Sequence, residues 1–101
     1  MGQNINQILE AGLRGEQVFL NGVVVPGDLD TLFRITSLLL SSDQELDFEI
    51  EHDAKGDELF GHLRALLAVK GFLRKPKPGR WMIRITDYRV LVENNETGRG
   101  I

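Results

Sequence analysis

The sequence predicts an α/β (α+β) domain: a two-layer sandwich with a mixed four-stranded sheet in β-α-β-α-β-β order, helices on one face, and a short N-terminal helix. Three observations predict it. The stretch Glu45 to Glu51 alternates without a miss, with Leu46, Phe48 and Ile50 on one side and Asp47, Glu49 and Glu51 on the other. That is the pattern of a strand with one buried and one wet face. Two longer stretches, 29–40 and 57–70, repeat apolar residues at helical spacing. Finally, 101 residues of which 42% are hydrophobic are enough for one core without staples.

Asn4 to Leu13 reads as a short helix. Asn4 is the N-cap, Gln7 follows three positions on as in a capping box, and Ile5, Ile8 and Leu9 share a face. Gln17 to Val25 is β-prone. Asn21-Gly22 between its apolar runs signals a hairpin, and one strand kinked at Gly22 is the other reading. Pro26-Gly27 ends this segment. Asp28 then opens a helix from Leu29 to Leu40, with Asp30 in its first turn and Leu29, Leu32, Phe33, Leu39 and Leu40 facing the core. After the alternating strand, Asp57 opens a third helix through Lys70, with Leu59, Phe60, Leu63, Leu66 and Leu67 as its stripe. Gly71 is its C′ residue, and Phe72 makes the closing contact with Leu67. Lys75 to Gly79 is a loop. Arg80 to Thr86 and Tyr88 to Glu93 are the last two strands, with Trp81 in the core beside Ile83 and Ile85. The domain spans 1–93, and 94–101 is a flexible tail.

Charge is unevenly divided although the net value is only −3. From Asp43 to Glu58 the chain is acidic; from Lys70 to Arg89 it is basic. Arg74, Lys75, Lys77 and Arg80, interleaved with prolines, form a candidate site for an anionic partner. Asp47, Glu49 and Glu51, with Arg84 and Arg80 across from them, form the candidate open sheet face. A straight acidic row diverges, whereas metal ligands converge, so no metal is expected there. His52 and His62 lack zinc-ligand spacing, and His62 has Glu58 four residues before it as an ion-pair partner. No nucleophile elbow, dinucleotide fingerprint or phosphate loop occurs. The absence of cysteine excludes disulfides and thiolate chemistry, and it fits a reducing cytoplasm. The longest apolar runs fall far short of the roughly 20 residues of a membrane span, and the N-terminus has no secretory pattern. The expectation is a cytoplasmic protein that is not an enzyme, without cofactor, metal or membrane.

Gly22-Val23-Val24-Val25-Pro26, the helix after it and the rhythm into Gly71-Phe72-Leu73 resemble the TusA/SirA-like sulfur carriers over about residues 17–93. The resemblance implies their β-α-β-α-β-β fold, shared with the C-terminal domain of translation initiation factor three. Val25 stands where that family carries its persulfide cysteine and Asp28 where it carries a second proline, so the resemblance implies the fold without the sulfur chemistry. A winged helix, with 57–70 as recognition helix and the basic loop as wing, is a further architecture, but it conflicts with the alternation at Leu46 to Glu51.

The functional expectation is a small non-enzymatic interaction module. It would meet a protein partner through the open sheet face or an exposed edge strand, as a monomer or an edge-strand homodimer. The alternative is a nucleic-acid-binding or regulatory domain, winged-helix-like or ribosome-binding, that uses the basic 70–89 segment. An enzyme with an unobvious site would need an enclosed pocket with convergent polar groups.

Overall fold

The computed structural model describes residues 4–43 and 46–93. Helix α1 (Ile5–Leu13) leads into strands β1 (Val18–Pro26), β2 (Leu38–Ser42) and β3 (Asp47–Ile50). A short helix α2 (Ala54–Asp57) and a 3₁₀ turn (Glu58–His62) follow, and then the long strands β4 (Leu66–Lys77) and β5 (Arg80–Val92). The strands close into a barrel in the order β1-β2-β3-β5-β4. Every pairing is antiparallel except β3 with β5.

Alternation along each strand builds the core. Val18, Leu20 and Val24, then Leu38 and Leu40, Phe48 and Ile50, Leu67 and Val69, and Trp81, Ile83 and Ile85 all point inward and are buried. Each such side chain contributes on the order of 1.5–3 kcal/mol when fully removed from water. Helix α1 adds Ile8 and Ala11 to the same cluster. Its start follows the expected chemistry: Asn4 accepts from the Gln7 amide, and Gln7 accepts from the Asn4 amide.

The barrel overturns the two-layer sandwich and, with it, the TusA/SirA-like resemblance and the winged helix. There is no four-stranded sheet with helices on one face among the described residues; they form one five-stranded closed barrel. Two expected helices account for the difference. In 29–40, Leu29, Leu32 and Phe33 are exposed, and the segment is a loop followed by a strand in which Leu38, Leu40 and Ser42 alternate inward. In 57–70, the helical conformation stops at His62, and Arg64 takes a positive φ of 68°. From Ala65 onward, Leu67, Val69, Gly71 and Leu73 alternate inward as a strand. Gly71 is therefore no helix terminator. A Cβ on it would lie 2.4 Å from the Arg84 carbonyl oxygen, a distance at which something must shift. Phe72 points away from the Leu67 side of the strand, and the Arg84 guanidinium lies over its ring at 5.2 Å.

Other expectations hold in whole or in part. Asn21-Gly22 lies inside one continuous strand, and glycine is needed there because an added Cβ would meet Leu40 Cγ at 2.8 Å and the Ser41 carbonyl at 2.9 Å. The alternating strand is β3, with Glu45 outside the described residues. Trp81 belongs to the core. The two expected final strands are one, β5. The break between them at Asp87 is a bulge against β4, where Lys70 pairs with Asp87 but Gly71 pairs with Ile85. The bulge moves the inward face from Ile85 to Tyr88 and Val90. The expected tail, 94–101, lies outside the described residues.

Candidate functional site

The loop between β1 and β2, residues 27–37, is held by its own polar groups. At its base the Ser37 hydroxyl donates to the Asp28 carboxylate (3.0 Å) and accepts from the Asp28 amide (2.9 Å). Leu29 and Ile35 form an isolated antiparallel bridge. Asp30 organises the tip. Its Oδ1 accepts from the amides of Leu32 (2.8 Å) and Arg34 (2.9 Å), and its Oδ2 accepts from Arg34 Nε (2.9 Å). The Arg34 amide, more than any other donor, holds the Asp30 carboxyl below its ordinary carboxylate value, with the Leu32 amide assisting. Asp28 and Asp30 thus do the work of turn acceptors. The same side-chain chemistry at a helix start would have capped it.

This loop presents apolar side chains to water. Phe33 takes φ 64° and is 82% exposed, and Leu32 is 67% exposed. A phenylalanine in the left-handed region is strained by about 1–3 kcal/mol and persists only where its surroundings enforce it. Here the Phe33 amide donates to the Asp30 carbonyl, and the Asp30 amide to the Arg34 carbonyl, both at 2.9 Å.

The hairpin joining β4 to β5 flanks the loop base across a groove of about 350 Å³, whose walls include Asp28, Ser37, Glu49, His52, Arg80 and Met82. The hairpin carries the four basic candidates, which the structure divides into two kinds. Arg74 is paired with Glu51, and Arg80 with Glu49 at 2.6 Å. Lys75 lies over the Trp81 ring at 5.0 Å, and neither it nor Lys77 has an ion pair among the described residues. The acidic candidates lie on the outer surface of and just beyond β3, where Glu49 and Glu51 meet those arginines and Asp47 is exposed without an ion pair among the described residues. Arg84 is on the outer face of β5, stacked on Phe72 instead of meeting a carboxylate.

Of the two histidines, His52 lines the groove and His62 lies elsewhere. His52 bonds the Asp57 carboxylate (3.1 Å) and stacks on Phe60. His62 meets Tyr88 edge-on, with Glu93 at 3.6 Å; its expected partner, Glu58, accepts instead from the Tyr88 hydroxyl at 2.8 Å. Burial, and then the Glu58 carboxylate, raise the Tyr88 phenol above its ordinary value. Among the described residues no group of three His, Asp or Glu side chains could hold a metal, and no helix is long and apolar enough to cross a membrane.

Sequence reasoning missed the exposed tip, because 29–40 read as a helix put Leu32 and Phe33 in the core. The available signal was Asp30 with Arg34, a turn acceptor and its donor enclosing a tight bend. The β1–β2 loop and the β4–β5 hairpin face each other across the groove at one side of this five-stranded closed barrel. Compared with protein-family models, curated proteins and solved structures, the chain has no match in any of the three.

Proposed function

We propose that the protein is a non-enzymatic, cytoplasmic interaction module that grips a protein partner with the 27–37 loop. The observation that carries this reading is Phe33, held at a positive φ and almost fully exposed by the Asp30 network. Exposed aromatic anchors are the residues that dominate the energetics of interfaces. A strained loop that shows one to water, next to Leu32 and Leu29, stores an arrangement that has no use in the barrel's own core. The paired charges beside it suit a protein surface, since Arg74 and Arg80 already have carboxylates and the exposed Asp47 adds a negative charge.

The test is capture by a photo-crosslinking side chain placed at position 32 in the host cell, followed by identification of the attached peptides. A discrete protein partner, lost when Phe33→Ser is added, supports the reading. Crosslinks indifferent to Phe33→Ser would end it.

A second reading, single-stranded nucleic acid across the same two loops, is favoured by Lys75 and Lys77, which have no ion pair among the described residues. It predicts salt-sensitive retention of a labelled oligonucleotide that weakens in Lys75→Ala and Lys77→Ala. The carboxylates of Asp47, Glu49 and Glu51 along the strand that would carry the bases oppose it.

A further inference from the structure

A second concavity, of about 440 Å³, lies on the outer surface of β1, β4 and β5. Strand register sets its layout. Phe19, Lys70 and Asp87 stand side by side in one row; Asn21, Ala68 and Arg89 stand in the next, two residues along each strand. The rows are roughly 7 Å apart. Ala68, the smallest of the six, makes the floor. Phe19 is 57% exposed, with Lys70 Nζ 5.9 Å from its ring centre.

The charges here are unlike those of the hairpin. Lys70, Arg89, Asp87 and neighbouring Asp43 all line the concavity, and none of the four has an ion pair among the described residues. Asp87 accepts the adjacent Tyr88 amide. Two cations and two anions around an exposed aromatic ring do not suit nucleic acid, which the aspartates repel, nor a partner of one charge sign. They suit a surface of the same mixed design.

We propose that this face docks onto the same face of a second copy of the chain. Closed dimers form by twofold symmetry, in which residue i meets j and j meets i. Let the axis run across the strands, midway between the two rows. Asp87 then faces Arg89 of the second copy, and Arg89 faces its Asp87. Each Lys70 stem lies over the other copy's Ala68, and each Phe19 packs on the other's Asn21. The paired rows make the charge pattern of the face complementary to itself under this axis. Edge-strand pairing is less suited, since β1 and β4 are joined to each other from Val18↔Gly71 to Val23↔Leu66. This dimer does not depend on the partner proposed for the 27–37 loop.

The experiment is sedimentation velocity over a concentration series at low and high salt, on the full chain and two variants, Asp87→Arg and Arg89→Asp. Both positions are exposed, and circular dichroism confirms that each variant is folded. The wild-type chain is expected to dimerise, more weakly in high salt. Each variant alone sets like charges against each other across the axis and loses about tenfold or more in association. An equimolar mixture of the two variants regains the dimer, because the arginine introduced into one copy then faces the aspartate introduced into the other. A wild-type chain that stays monomeric throughout overturns the proposal. So does a dimer that neither substitution weakens, or a mixture that does no better than the variants apart.

Discussion

The surface formed by β3 and the β4–β5 hairpin carries most of its charges in pairs, whereas the surface formed by β1, β4 and β5 leaves them without ion pairs among the described residues. On the first, Glu49 and Glu51 are met by Arg80 and Arg74, which lie more than twenty residues away along the chain. On the second, Lys70 and Asp87 are register partners, and yet neither is in an ion pair among the described residues. A run of like charge in a sequence therefore does not by itself make a charged surface. Folding lays half of the basic run of the hairpin against the acidic strand and cancels it. The charges left over on the second face are scattered along the chain and gathered by strand register.

The largest expected effect comes from removing the floor under the paired surface. Phe48 is fully buried on the inward side of β3, and Phe48→Ala should cost about 3–5 kcal/mol, read as a fall in the urea midpoint. A loss below about 1 kcal/mol would mean that β3 is not part of the core. Next is the bulge beneath the second surface. Gly71→Ala drives a Cβ into the Arg84 carbonyl and should cost about 1–3 kcal/mol by the same measurement.

Neutralising the acidic strand would turn the paired surface into one with free cations. Glu49→Gln with Glu51→Gln should change stability by less than about 1 kcal/mol, because both arginine partners are about half exposed. It should also release Arg74 and Arg80, so that binding of a labelled single-stranded oligonucleotide, followed by anisotropy, becomes tighter and steeper in salt by up to about 1.4 units of slope, about 0.7 for each arginine. An unchanged salt slope would show that those arginines are not masked. The smallest effect is local. Hydrogen bonds, the one from the Arg34 amide foremost, hold the Asp30 carboxyl below its ordinary value, so the order they give the tip is present above the ordinary carboxylate range. Order is lost as pH falls through the depressed value. Amide resonances of Leu32 and Arg34 should report this in an acid titration. Asp30→Asn should abolish the response, and its persistence would assign it to another group.

The outward form of the chain is only partly legible in its residues. Helix α1 with its capping box, the β3 alternation, the turn within Lys75 to Gly79 and the core position of Trp81 are readable because each rests on local chemistry. Residues 29–40 and 57–70 are not, because leucines spaced for a helix also satisfy a loop or a short helical turn followed by a strand. In 65–73, Ala65, Leu67, Val69, Gly71 and Leu73 alternate as a strand, but Leu63, Leu66 and Leu67 imitate a helical stripe over the same stretch. Tertiary closure decides between the two. The basic hairpin is legible as a reversal of the chain, although Lys75 to Lys77, expected as loop, belong to β4 and only Pro78 and Gly79 turn. Its neutralisation by Glu49 and Glu51 depends on the parallel pairing of β3 with β5, which no local pattern announces. The exposed Phe33 is hidden for the same reason as the strand after it.

That parallel pairing has a consequence of its own. Only Glu49↔Met82 and Ile50↔Ile83 join β3 to β5 among the described residues, with the Glu51 amide reaching the Ile83 carbonyl just beyond, whereas β4 and β5 are laced together from Leu66 to Lys77. The ring therefore has a clasp. Transient unfastening there would turn the cylinder into a curled ribbon without breaking the long ladder, and deuterium should enter at Glu51 well before it reaches Val69.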